Sequence, residues 1–121
     1  MSYLYVIAGA VVGAPLRYFI GTRFPPGAGF PWATLTVNAT GCLLIGLILG
    51  IAEHRGGVSR EARLLLVTGF LGSYTTFSAF GWETYSLARA DDVLRAGVYV
   101  VASVVLGLLA VAVGAQAARL A

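Results

Sequence analysis

The sequence has too few charged residues to cover the surface of a water-soluble protein. Charged side chains make up 11% of its 121 residues, whereas a typical soluble domain carries about 25%. Lysine is absent, so the formal net charge of +3 depends on arginines that are spread singly along the chain. Without a basic cluster the chain offers no patch for a nucleic-acid backbone, and nucleic-acid binding is not expected.

Groups that carry catalysis or bind metals through side chains are equally scarce. The lone histidine, His54, lies in a charged stretch beside Glu53 and Arg55, and no residues have the spacing of a zinc site. No nucleophile with a base and an orienting acid stands out. The single cysteine, Cys42, cannot form an internal disulfide and is expected to pack as a small hydrophobic residue. The sequence therefore predicts that the protein is not an enzyme.

Hydrophobic residues dominate instead, at 59% of the chain with a mean hydropathy of +0.87. A helix crosses a membrane with about 20 mostly apolar residues, and four segments have that character, at about 3–20, 31–52, 64–87 and 96–118. Residues 1–16 contain no basic side chain, so the first segment lacks the basic start of a cleaved signal peptide. We therefore expect a single all-α membrane domain over residues 1–121, with four transmembrane helices.

Small and β-branched residues crowd the centre of the third segment, where Gly69, Gly72, Thr75 and Thr76 all weaken a helix. Two structures are compatible with this pattern. A break near residues 72–76 would free backbone carbonyls that can bind a cation, whereas an intact helix would have its hydroxyls bonded to its own carbonyls. The composition leaves both alternatives open.

Arginine is divided evenly between the two sides of the predicted domain. Four spans place both termini on one side, together with the arginines at 55, 60, 63 and 119, while those at 17, 23, 89 and 95 lie on the other side. Orientation in a membrane follows an excess of positive residues on one side. The tie therefore predicts insertion in both orientations and an antiparallel homodimer. The alternative is that one arginine near a critical helix decides the orientation.

Polar and aromatic side chains inside the predicted spans are the candidates for an ion path. Asn38 lies in the middle of the second segment, with Thr34 one turn before it on the same face. Its amide either forms a bond between helices or lines an ion path as a donor. Phe77 and Phe80 are three residues apart and share a helix face. They either pack, or direct the positive edges of their rings at a small anion weakly enough for it to leave.

A few further residues extend this candidate set. Tyr99 and Ser103 are four residues apart on the fourth segment, and with Ser78 they form either a polar track or only local bonds. Glu83 is the only carboxylate deep in a predicted span, which makes it either a functional candidate or an interfacial residue near its helix end. Arg17 either extends to the membrane interface or supplies a positive vestibule that attracts anions.

Three motifs together resemble the Fluc family of fluoride channels, also called CrcB, over nearly the whole chain. They are GAPLRY at residues 13–18, TLTVNATGC at residues 34–42, and GFLGSYTTFSAF at residues 69–80, followed by Glu83. The third motif is long and specific. The resemblance implies an antiparallel, dual-topology homodimer with two pores, a break in the third helix, and a place in a prokaryotic inner membrane.

The resemblance also implies roles for individual residues. The backbone carbonyls of Gly72 and Thr75 from both subunits would hold a structural sodium ion at the centre of the dimer interface. The residues that match the family's fluoride pathway are Asn38, Phe77, Phe80, Tyr99 and Ser103, with Arg17 at its vestibule, and Thr34 and Ser78 complete the predicted pore. The departures are Ser73 for the usual glycine, Tyr74 for the usual phenylalanine, Ala79 for a common threonine, and Gly107 for a serine of some members.

The implied function is passive, fluoride-selective efflux, which lowers cytoplasmic fluoride and protects the cell. An inside-negative potential drives an anion outward with about 2.3 kcal/mol per charge per 100 mV, so no ATP or ion coupling is needed. Two other functions stay open. A four-span, proton-coupled multidrug exporter would need a buried carboxylate in its first span, where Arg17 is the only charged residue. A structural membrane subunit or assembly factor would need no pore.

Overall fold

The computed structural model describes residues 1–121 and contains helices but no strands. Three helices are continuous: α1 (Ser2–Gly21), α2 (Trp32–His54) and α5 (Val93–Ala118). The third span, Arg60–Arg89, consists of α3 (residues 60–74) and α4 (Phe77–Arg89). These four spans are long and apolar enough to cross a membrane, which confirms the predicted all-α class with four membrane-spanning helices. The chain is therefore a multi-pass membrane protein.

Helix α3 changes its winding along its length. It begins with a single turn, Arg60–Arg63, and the Ser59 hydroxyl caps this turn by accepting a hydrogen bond from the Ala62 amide at 3.1 Å. The next eight residues, Leu64–Leu71, form a π-helix, although π-helical turns normally occur singly. The sequence pattern did not predict this winding.

Helix α1 packs against α3 through glycines. A Cβ added to Gly9 would overlap the Leu65 carbonyl, and one added to Gly13 would overlap the Phe70 carbonyl. The absence of side chains at these two positions lets the helix backbones touch, as in other membrane helix pairs. The wide winding of α3 lies along this contact.

Helices α2 and α5 form the second close pair. A Cβ added to Gly46 would overlap the Val111 carbonyl, and one added to Gly114 would overlap the Leu43 carbonyl. Each helix therefore offers a glycine to the other's backbone. Only 15 of the 121 residues are buried, so most large apolar side chains face outward, where lipid or another chain must cover them.

The loop between α1 and α2 is fixed to the start of α5. Gly29 has a φ of +73°, a left-handed conformation that favours glycine. Its carbonyl accepts a hydrogen bond from Arg95 Nη1 at 3.5 Å. The same Arg95 nitrogen lies 3.2 Å from Asp92 Oδ2, and Asp92 Oδ1 caps α5 by accepting from the Arg95 amide. One arginine therefore joins this loop to α5.

Candidate functional site

Two residues in extended conformation separate α3 from α4. Thr75 has φ −87° and ψ 162°, and Thr76 has φ −151° and ψ 117°. In a continuous helix the Thr76 amide would donate to the Gly72 carbonyl, but here it donates to Asn38 Oδ1 at 2.8 Å. The Gly72 carbonyl consequently loses its usual helical donor in the middle of a membrane span.

The side-chain amide of Asn38 forms two hydrogen bonds with the backbone of this extended segment, one as acceptor and one as donor. Besides accepting from the Thr76 amide, it donates from Nδ2 to the Thr76 carbonyl at 2.9 Å. An amide side chain has two N–H donors, so one of them is left over. The structure thus shows the bond between helices, and the use of the remaining donor by an ion stays a prediction.

The Thr75 backbone is also satisfied within the chain. Its amide donates to the Leu71 carbonyl at 3.0 Å, and its hydroxyl donates to the same carbonyl at 2.9 Å. Its carbonyl accepts a hydrogen bond from Arg17 Nη1 at 3.3 Å. Since unpaired backbone groups are costly at membrane depth, these bonds explain how one chain can keep Thr75 and Thr76 extended.

The departures at Ser73 and Tyr74 add hydrogen bonds next to this segment. The buried Tyr74 hydroxyl lies 2.7 Å from Thr40 Oγ1 and ties α3 to α2. The Ser73 hydroxyl donates to the Phe70 carbonyl at 3.0 Å. Neither bond is possible for a phenylalanine at position 74 or a glycine at position 73, so this chain holds the end of α3 with these two side chains.

The Glu83 carboxylate accepts two hydrogen bonds from other helices. Thr34 Oγ1 of α2 donates to Oε1, and the Tyr99 hydroxyl of α5 donates to Oε2, each at 2.7 Å. Tyr99 is fully buried and Thr34 nearly so. A carboxylate is an acceptor only, and here each of its oxygens receives a hydroxyl. This carboxylate cluster, Thr34, Glu83 and Tyr99, joins α2, α4 and α5.

The carboxylate cluster lies between two open cavities. The first, which we call the arginine cavity, has a volume of about 480 Å³ and is lined by Arg17, Thr34, Thr76 and Ser78 among others. The second, the loop cavity, has a volume of about 570 Å³ and is lined by Glu83 and by the α1–α2 loop. The Thr34–Glu83 hydrogen bond therefore joins a wall of one cavity to a wall of the other.

Four aromatic rings follow one another beside the carboxylate cluster. The ring centroids of Phe77 and Phe80 are 5.5 Å apart, and those of Phe80 and Tyr99 are 5.1 Å apart. The Tyr99 ring also meets Phe30 edge-on, at 5.4 Å and 79°. Phe77 is 83% exposed and projects from the outer surface of the chain. Phe30 was not among the predicted pore residues, because no periodicity or motif in the loop connects it to Tyr99.

The remaining predicted pore residues are less tightly held. The exposed Ser78 hydroxyl lies 3.3 Å from Thr76 Oγ1, and Ser103 is half-buried on α5. Ser103 forms no side-chain hydrogen bond within the chain, and its place in a polar track stays a prediction.

Comparisons with known proteins identify the family of the chain. The family model for CrcB-like protein, Camphor Resistance (CrcB), matches residues 4–115. A protein of Rhizobium leguminosarum bv. trifolii is 44% identical over 118 residues, which is 96% of this chain and 94% of that protein. One of Chloroflexus aurantiacus is 46% identical over 122 residues, with 98% and 95% covered. Both relatives carry the name Fluoride-specific ion channel FluC. The chain therefore belongs to the CrcB family.

Proposed function

We propose that the chain is a subunit of a fluoride-selective channel, not an enzyme, that lets fluoride leave the cell passively and so protects the cell from it. The family membership and the names of the relatives support this function. The structural observation that carries it is the carboxylate cluster, which places neutral hydroxyl donors between two open cavities.

A route between the cavities would replace the water around fluoride with neutral donors. The Ser78 hydroxyl lines the arginine cavity, where Arg17 supplies positive charge, and Asn38 is bonded to Thr76, which belongs to the same lining. A fluoride that moves on must share the hydroxyls of Thr34 and Tyr99 with Glu83. Such sites bind weakly because the donors already have an acceptor, and weak sites are what conduction requires.

The same proposal includes an antiparallel, dual-topology homodimer in a prokaryotic inner membrane. The even division of arginines supports dual topology. The outward projection of Phe77 supports a partner, because a pore phenylalanine that is 83% exposed in one chain needs a second wall. Beside it lies a third cavity, of about 330 Å³, lined by Asn38, Thr75 and Phe77 among others. A second copy would close this cavity.

A structural sodium ion is part of this proposal, held by the Gly72 and Thr75 carbonyls. Both residues line the third cavity, and carbonyl oxygens are ligands that hard cations prefer. The Gly72 carbonyl has lost its helical donor, and the Thr75 carbonyl, which accepts one hydrogen bond from Arg17, keeps a second lone pair for another ligand. Two carbonyls fall short of the roughly six oxygens of a hard cation, so the second copy must contribute. The ion would supply positive charge between the two copies.

A reconstituted flux assay tests the function. Purified protein in liposomes loaded with fluoride should release it when a potassium ionophore sets an inside-negative potential, and liposomes loaded with chloride should retain their anion. Exchange of a drug cation for protons would favour a multidrug exporter, and the absence of any flux would favour a structural subunit. Either result would overturn the proposed function.

A further inference from the structure

We propose that Phe30, in the α1–α2 loop, is the ring that follows Tyr99 along the fluoride route, and that the loop cavity is the mouth at this end. The inference rests on the proposed function. The observation behind it is that the ring of Phe30, a loop residue, meets the ring of the buried Tyr99 on α5.

Phe30 helps to hold Tyr99 against Glu83. The Tyr99 ring lies between Phe80, at 5.1 Å, and Phe30, at 5.4 Å. Its hydroxyl must reach Glu83 Oε2 over 2.7 Å, so a small tilt of the ring would lengthen this bond. Edge-to-face aromatic pairs fix the orientation of both rings. Phe30 is therefore a positioning residue for the hydroxyl of Tyr99.

The loop that carries Phe30 is itself held in place. Arg95 donates to the carbonyl of the preceding residue, Gly29, and the Phe30 carbonyl accepts from the Trp32 amide at 2.9 Å. The Phe30 and Trp32 rings are 4.6 Å apart. These contacts fix the backbone on both sides of Phe30, which lets a loop residue support a buried one.

Phe30 also lies where an anion would leave the carboxylate cluster. It lines the loop cavity with Glu83, and Trp82 and Ser86 of α4 belong to the same lining. A fluoride released from Tyr99 on this side therefore meets a second aromatic ring before it reaches bulk water. A ring edge attracts an anion without a full charge.

Three variants in the liposome assay test whether fluoride flux depends on the aromatic ring of Phe30 or only on the volume of its side chain. Phe30→Leu removes the ring and should lower fluoride flux about tenfold, the upper range for an aromatic pair. Phe30→Tyr keeps the ring and should stay within about twofold of wild type. The control, Phe19→Leu, removes a half-exposed ring of α1 that contacts Arg23 and none of the four rings. It should conduct as wild type.

Chemical modification tests the mouth without relying on the Phe30 variants. In a Cys42→Ala background, Ser86→Cys places a thiol in the loop cavity, and Leu120→Cys places one at an exposed position beyond the end of α5. A sulfonate-bearing thiol reagent should block most of the flux of the first variant and leave that of the second unchanged, each relative to the same protein before treatment.

The outcomes distinguish this inference from the function on which it rests. Wild-type protein that releases no fluoride would overturn the proposed function itself. Wild-type conduction with normal flux in Phe30→Leu, or equal losses in Phe30→Leu and Phe30→Tyr, would overturn only the role of the ring. Normal flux through Ser86→Cys after modification would show that the loop cavity is not the mouth of the route.

Discussion

Two regions of the molecule are held together by opposite means. Helices α2 and α5 pack glycine against backbone at Gly46 and Gly114. Around the extended residues Thr75 and Thr76, by contrast, side chains from α1 and α2 bond to backbone groups that the helix leaves unpaired. The apolar contact between α2 and α5 can stabilise the fold, whereas the polar region around Thr75 and Thr76 depends on a few specific side chains. Substitutions in the two regions should therefore fail in different ways.

The largest effect is expected for Asn38→Asp, which should lower fluoride flux at least about 100-fold. A carboxylate cannot donate to the Thr76 carbonyl, so that group would be left unpaired, and the new negative charge repels an anion. The liposome flux assay measures the loss. Gln116→Glu makes the same amide-to-acid change near the end of α5 and should conduct normally. Normal flux in Asn38→Asp would place the amide outside the route.

Phe80→Ile should reduce flux about tenfold without changing the oligomeric state of the protein. The Phe80 ring contacts both Phe77 and Tyr99, and isoleucine offers neither a ring edge nor the same support for Tyr99. Flux and size-exclusion chromatography are measured on the same preparation, with Phe19→Ile as the control. If Phe80→Ile conducts as well as the control, the argument from ring edges is wrong for this chain.

The sequence predicted the apolar region better than the polar one. Long hydrophobic segments give the four spans, and charged or glycine-rich stretches give their ends, because both signals are local. The π-helical winding of Leu64–Leu71 coincides with a tertiary contact to α1 at Gly9, which no local pattern contains.

The candidate site was predicted as a set of residues but not as an arrangement. Thr34, Glu83 and Tyr99 each stood out as polar groups in apolar spans. Their hydrogen bonds connect positions 49 and 16 residues apart, and a single sequence does not show which side chains meet across such separations. For the same reason the pairing of Asn38 with both polar groups of the Thr76 backbone was not foreseen.

A substitution in the α2–α5 pair should damage stability without a specific effect on conduction. Gly114→Ala places a methyl group against the Leu43 carbonyl and should lower the free energy of unfolding by about 1–3 kcal/mol. Gly97→Ala on the same helix meets nothing within 4 Å and should be neutral, or stabilising by up to about 1 kcal/mol. Thermal unfolding in detergent compares the two. Equal stability of both variants would contradict the close packing of this pair.

The smallest effect is expected for Tyr74→Phe, which tests how far this chain's own side chains support the polar region. The change removes one hydroxyl and its bond to Thr40, which should cost about 1 kcal/mol of unfolding free energy. Asn38 and Arg17 still hold Thr76 and Thr75, so flux per folded protein should change less than about twofold. Tyr3→Phe, at an exposed position on α1, is the control for losing a hydroxyl. A large loss of flux in Tyr74→Phe would contradict this expectation. It would show that the extended segment needs the hydrogen bond of Tyr74 in addition to those of Asn38.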